Sequence, residues 1–237
     1  CARRTAFATE RWREGSGEET PSLKRSRARP IDEPATRVSH ARMDIRPVTL
    51  EGRHVRLEPL DLARHWDGLR AVGLEQELWR FTAAVVRDAT ELRRYLEKAI
   101  DERDRGVSLP FATIHVASGR VAGSTRFGCI VREHKRVEIG WTWLGSEFQR
   151  SALNTEAKYL MLRHAFETWG CMRVELKTSS TNLKSQAAMR RLRLVEEGVF
   201  RKWMFNENGT PRDTMWFSCI DDEWPAMKAR LEGMLAG

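Results

Sequence analysis

The chain has 237 residues, 41% of them hydrophobic, enough for one large domain or two small ones with a true core. Its apolar stretches are broken by charge well short of the ~20 residues a membrane span needs, so neither wholesale disorder nor a helical membrane protein is expected, and the chain reads as soluble. The formal charge is +8, from 41 Lys/Arg against 33 Asp/Glu, but ten of those cations and six of those acids lie in residues 1–42, so half of the excess sits there.

Residues 1–42 show no sustained period and few large apolar side chains, so they bury too little to offset chain entropy; a disordered basic tail is expected. Its KRSRARP stretch (24–30) offers a phosphate contact through counterion release, but no aromatic platform accompanies it, and a solvated tail is the plainer expectation. Met43 is the first methionine and directly precedes the first organised segment. A native start at Met43 is therefore expected, with 1–42 as tail or non-native extension and 43–237 as the folded domain. That body carries 31 Lys/Arg against 27 Asp/Glu, little electrostatic case for nucleic acid.

Within the body, RHVRLEPL (53–60) alternates like a strand, and 62–81 has apolar residues at helical spacing, one helix or two. Residues 89–106 are a cleaner helix, with Leu92, Tyr95, Leu96 and Ala99 on one face and Gly106 as its stop. Two or three strands follow over 109–131, around a hairpin at Ser118, Gly119 and Arg120; Arg132, Lys135 and Arg136 read as a solvated turn, and VEIGWTWLG (137–145) as a strand. Then come a helix over about 155–169, a strand over 171–178, a helix over about 184–192, a hairpin around Asn208 and Gly209, and a closing helix over 223–235. A strand, helix, strand unit after a meander predicts a mixed α/β sheet with its ligand at the carboxyl ends of the strands.

The stretch QRSALNT (149–155) opens a helix directly after a strand. A helix start leaves amides unpaired and carries a partial positive charge, an anion site in waiting. Asn154 or Thr155 would cap it, and Glu156 suits the dipole. Neither G-x-x-x-x-G-K-[ST] nor G-x-G-x-x-G occurs, which argues against a P-loop or dinucleotide fold. Cys1, Cys129, Cys171 and Cys219 form no close pair; the last three are expected as buried core residues in a reducing cytoplasm. The histidines are scattered and no metal is assigned. Trp79, Trp141, Trp143, Trp203 and Trp216 read mostly as core, with Trp79 beside Phe81 a candidate for lining an acceptor pocket.

The run from VEIGWTWLG through QRSALNTEAKYLMLRHAFETWGCMRVELKTSSTNLKSQAAMRRLRLVEEGVFRKWMF, with the entry segment LEGRHVRLEPL and the exit segment DTMWFSCIDDEW, resembles the GNAT superfamily of N-acetyltransferases, in its RimJ/RimL-like branch. The likeness spans about 45–235. It implies the α/β (α+β) GNAT fold: a mixed, mostly antiparallel sheet with splayed central strands and flanking helices. It also implies an acetyl-CoA-dependent N-acetyltransferase acting on a primary amine, either a protein N-terminus or a small molecule.

The family's loop Q/R-x-x-G-x-G/A holds the pyrophosphate of acetyl-CoA. Gln149, Arg150, Ser151, Ala152, Leu153 and Asn154 take its six places, followed by Thr155. Ala152 stands where the family has Gly, Asn154 where it has Gly or Ala, and Arg193 where relatives commonly have a glycine after a helix. Were positive φ required at 152, Ala would cost roughly 1 kcal/mol.

A backbone amide at the strand bulge, around Trp141 to Leu144, would polarise the thioester carbonyl, with Trp143 and Leu144 beside the cofactor. Glu138 on the same strand is the candidate base; its bland alternative is a solvated strand carboxylate. By resemblance Asn182 contacts the pantetheine arm and Ser185 lies near the thiol sulfur as candidate acid, although local chemistry alone reads Ser185 as a helix-start residue. The only tyrosines are Tyr95 and Tyr159, neither on that helix. Two alternatives stay open: an acyl-CoA-binding domain of the same fold without turnover, and a nucleic-acid protein working through the tail. Expected partners are acetyl-CoA and an amine, without membrane; a homodimer is left open.

Overall fold

The computed structural model describes residues 43–236 apart from 85 and 207, so the expectations for 1–42 lie outside the described residues. The strands are β1 (Leu50–Glu51), β2 (Val55–Pro59), β3 (Leu109–His115), β4 (Arg120–Val131), β5 (Arg136–Leu144), β6 (Arg173–Ser179), β7 (Val195–Phe205) and β8 (Pro211–Ile220). The helices are α1 (Leu62–Gly73), α2 (Ala89–Asp104), α3 (Ala152–Arg163), α4 (Leu183–Arg191) and α5 (Trp224–Ala236).

All eight strands join one sheet in the order β1-β2-β3-β4-β5-β6-β8-β7, antiparallel except for the β5–β6 pair. That parallel pair needs a crossover, which α3 supplies. Below one face α1 packs on β4 and α2 on β3; α3 lies against β1, β2 and α5. The core between these layers is built from residues such as Leu57, Leu69, Leu96, Phe111, Phe127, Leu153 and Phe217, all essentially inaccessible.

Most predicted elements stand within a few residues of their expected bounds. The 62–81 segment resolves into α1 and a 3₁₀ turn at Gln76–Leu78. β1 was not anticipated, because two residues carry no period. The helix expected from Thr155 begins three residues earlier: Ser151, in extended conformation, is its cap, accepting from the Leu153 amide at 3.4 Å. After Arg163 the helix widens into a π turn, His164–Thr168, before Trp169 anchors its indole on the Asp44 carbonyl at 2.9 Å.

Three burial expectations fail. Cys129 is exposed rather than core, set at a bulge with φ 47°. Trp141 and Trp203 are exposed, while Trp79 is core, its indole bonded to the Gly73 carbonyl at 2.8 Å and its ring against Tyr95 and Trp143. Arg136 is more than a solvated turn residue, since it reaches Glu175 across the sheet.

Candidate active site

β5 and β6 are paired only over Arg136–Glu138 and Arg173–Glu175. Beyond that point β5 runs on to Leu144 and β6 to Ser179 without bonding each other, so the sheet forks. The cause lies on the other edge of β5. Ser124 pairs Trp143 and Arg126 pairs Gly140, so Thr125 alone opposes Trp141 and Thr142, and Trp141 takes φ 50°. An extra residue in one strand bends it away from its neighbour. The bend opens a cleft lined by peptide groups that are unpaired across it, the kind of edge a strand-like ligand can occupy.

Glu138 holds the last paired place before the fork and is buried. Lys177 on β6 donates to its Oε2 at 2.6 Å, and the same ammonium lies over the rings of Trp141 and Trp216. The carboxylate is thus a buried, oriented acceptor and not the solvated strand residue of the bland reading. Partial desolvation of the Cys129 sulfur, together with the Glu138 charge, pushes that thiol up to about 11, so it offers no thiolate at neutral pH.

At the far end of β5 the chain turns into α3. Gln149 donates to the Leu144 carbonyl at 2.7 Å and accepts from Lys184 of α4, tying strand, loop and second helix together. The positive φ of this loop falls on Arg150 (60°), while Ala152 is the first helical residue. The feared strain at Ala152 is therefore absent. The amides of Arg150 and Ser151 have no acceptor among the described residues, and Ala152 has none within the helix.

The other expected positions divide. Leu153 and the Trp143 side chain are core, so only their backbones can face a cofactor. Thr155 accepts from Arg191 at 2.9 Å. Asn154 carries a buried Oδ1 with no partner among the described residues. On α4, Asn182 Oδ1 caps the Ser185 amide at 3.1 Å, and the partly exposed Ser185 hydroxyl has no partner among the described residues.

Sequence reasoning missed four cations here: Lys158, Lys177, Lys184 and Arg212. Lys158 reaches from α3 to Thr142 Oγ1 at 2.6 Å and Thr125 Oγ1 at 3.4 Å, bridging both strands at the bulge. Burial pushes its amine down to about 7. The signal was present, since Lys158 lies three and four residues before Met161 and Leu162, on the face that enters the core. Glu156 was read as a dipole partner, but its carboxylate accepts from the amides of Arg53, His54 and Val55 at 2.8, 2.6 and 2.8 Å, stapling the β1–β2 turn to α3.

No group of three or more His, Cys, Asp or Glu among the described residues is arranged to hold a metal. No helix among them is long and apolar enough to cross a membrane.

Residues 54–195 match the family model described as an acetyltransferase (GNAT) domain. A solved GCN5-related N-acetyltransferase from Brucella melitensis is 33% identical, with TM-score 0.74 over 79% of this chain and 85% of that one. The RimJ of Mycobacterium smegmatis, solved with CoA-disulfide, shares the fold at 20% identity, with TM-score 0.66 over 81% of this chain and 96% of that one. YdaF of Bacillus subtilis (strain 168), which carries the name "Putative ribosomal N-acetyltransferase", is 28% identical over 110 residues, 46% of this chain and 59% of its own length. The chain thus matches little more than half of that curated relative.

Proposed function

Because the chain belongs to the GNAT acetyltransferase family, we propose that it transfers the acetyl group of acetyl-CoA to a primary amine at the fork between β5 and β6. The observation that carries this reading is the coincidence of three features. The sheet splays after Glu138, a bulge sits at Trp141, and free amides open α3 at the end of the same strand.

Gln149, Arg150, Ser151, Ala152, Leu153, Asn154 and Thr155 would offer the helix start to the pyrophosphate, as backbone dipoles suit an anion. The pantetheine would lie along the open edge of β5 near Trp143 and Leu144, with Asn182 alongside. A bulge amide between Trp141 and Leu144 would polarise the carbonyl, where preorganised donors act most strongly. The amine attacks as the free base; Glu138 accepts its proton directly or through water, and the Ser185 hydroxyl donates to the departing sulfur. We place the reaction in a reducing cytoplasm, on the free Cys129, Cys171 and Cys219. The RimJ/RimL-like branch is supported by the names of the relatives.

Titrating acetyl-CoA into the full chain by calorimetry should give micromolar binding, and no heat at millimolar ligand would overturn the reading. A Ser185→Ala chain should bind equally and transfer acetyl to an amine, with release of CoA, at least about tenfold more slowly. Undiminished turnover would remove Ser185 from the mechanism. Binding without turnover for any amine would favour the non-catalytic acyl-CoA-binding alternative, although one motive for it weakens now that Ala152 needs no left-handed backbone.

A further inference from the structure

β8 presents Arg212, Thr214 and Trp216 on one face, two residues apart, as strand geometry requires. In register with β6, Thr214 lies opposite Ser179 and Trp216 opposite Lys177, the lysine that holds Glu138 at the fork. The row therefore leads from the reaction centre along the neighbouring strands.

Each of its three members has a buried polar atom with no partner among the described residues: Arg212 Nε, Thr214 Oγ1 and Trp216 Nε1. Arg212 is only 8% exposed and Thr214 wholly buried. No acceptor of any kind engages the Arg212 guanidinium among the described residues, and burial lowers its pKa while the charge of Glu138 works the other way. An arginine kept for structure finds a carboxylate: buried Arg126 meets Glu102 at 2.7 Å, and buried Glu175 is met by Arg173 at 2.8 Å. The remaining unpartnered buried atoms belong to other elements: Thr113 to β3, Trp143 to β5, Asn154 to α3 and His164 to the π turn. A buried cation beside two unsatisfied groups in sequence is a costly arrangement that an anionic ligand would relieve.

We infer that Arg212, Thr214 and Trp216 form a subsite for a carboxylate carried by the acceptor, so that the substrate is an amine with a carboxylate a few bonds away; this rests on the acetyltransferase reading above. Charge complementarity favours such a zwitterion. Glu138 at the fork suits the amine end, whereas Arg212 suits the acid end, and a dianionic phosphate would meet the repulsion of Glu138. An amino acid and a peptide with an acidic residue near its N-terminus present the same chemistry.

The test uses the full chain with acetyl-CoA and three paired sets of acceptors. These are α-amino acids, ω-amino carboxylic acids, and dipeptides with Asp or Glu second, each beside its amide or uncharged counterpart; the sets tell small acceptors from peptides. Product is read by mass spectrometry. The carboxylate form should lead its counterpart by roughly a hundredfold in kcat/KM. Arg212→Met should abolish that preference through KM, and Arg212→Lys should restore part of it. Should Arg212→Met fail to fold, Thr214→Val and Trp216→Phe should each lose about tenfold of the preference. Equal use of both forms by the parent overturns the inference. So does a chain that binds acetyl-CoA but acetylates no carboxylate-bearing amine, which leaves the broader reading standing. Absence of acetyl-CoA binding overturns that reading and the inference with it.

Discussion

At single residues, backbone conformation decides more than side-chain identity. Arg193 follows α4 in the left-handed region with φ 66°; its amide bonds to the Arg190 carbonyl at 2.9 Å, and that of Leu194 bonds to Met189 at 3.3 Å. That pair of bonds is the Schellman arrangement, in which glycine is the favoured occupant. The resemblance to the family marked the missing glycine at this position. Arg193→Gly should raise stability by about 1 kcal/mol, read as a urea midpoint shift at unchanged slope. At Ala152, also set where the family has glycine, the condition for a cost is not met, since its place as the first residue of α3 sets its backbone. The residue that bears left-handed backbone in that loop is Arg150.

At the scale of elements, α3 acts as a strut between three parts of the sheet. Its first turns carry the candidate anion site, Glu156 gathers three amides of the β1–β2 turn, and Lys158 bridges β4 and β5 at the bulge. Periodicity identified the helix and put Lys158 on its core-facing stripe, but not the partners of Glu156 and Lys158, because those come from strands remote in sequence.

The lysine has a measurable consequence. Its folded pKa is lowered by burial to about 7, against an ordinary value of 10.5. Between those values the unfolded chain binds more protons than the folded one, so stability should climb as pH rises through that window. Below it both states are protonated and the cost of the buried charge is constant. Lys158→Met should be more stable than the parent near neutral pH and should flatten the climb, as urea midpoints from about pH 7 to about pH 10 would report. A parent whose midpoints do not rise over that range would mean the amine reaches water.

For the whole molecule, a fork is a liability in the middle of a sheet, because the peptide edges of β5 and β6 past Glu138 and Glu175 have no partner in each other. A ligand that fills the cleft should therefore act as a missing piece of the fold. Acetyl-CoA at about a hundred times its Kd should stabilise the full chain by about 2.7 kcal/mol, raising the thermal midpoint in a concentration-dependent way. Free adenosine, which lacks the pyrophosphate and pantetheine, should leave it unmoved.

The sequence by itself determined the order of the longer helices and strands and the mixed sheet, since period and turn residues are local properties carried over long stretches of chain, and its likeness to known segments pointed to the family. The resemblance to the family, carried by matching residues along the chain, singled out Glu138, Gln149 and Ser185 as candidates. Only the tertiary structure decided which polar groups are buried together. It is the register of β6 against β8 that sets Lys177 beside Trp216, and the bulge at Trp141 that parts β5 from β6. That Arg212 bonds to no carboxylate among the described residues is likewise visible only in the folded chain. Pairing and desolvation depend on contacts between residues remote in sequence, and no local pattern encodes them.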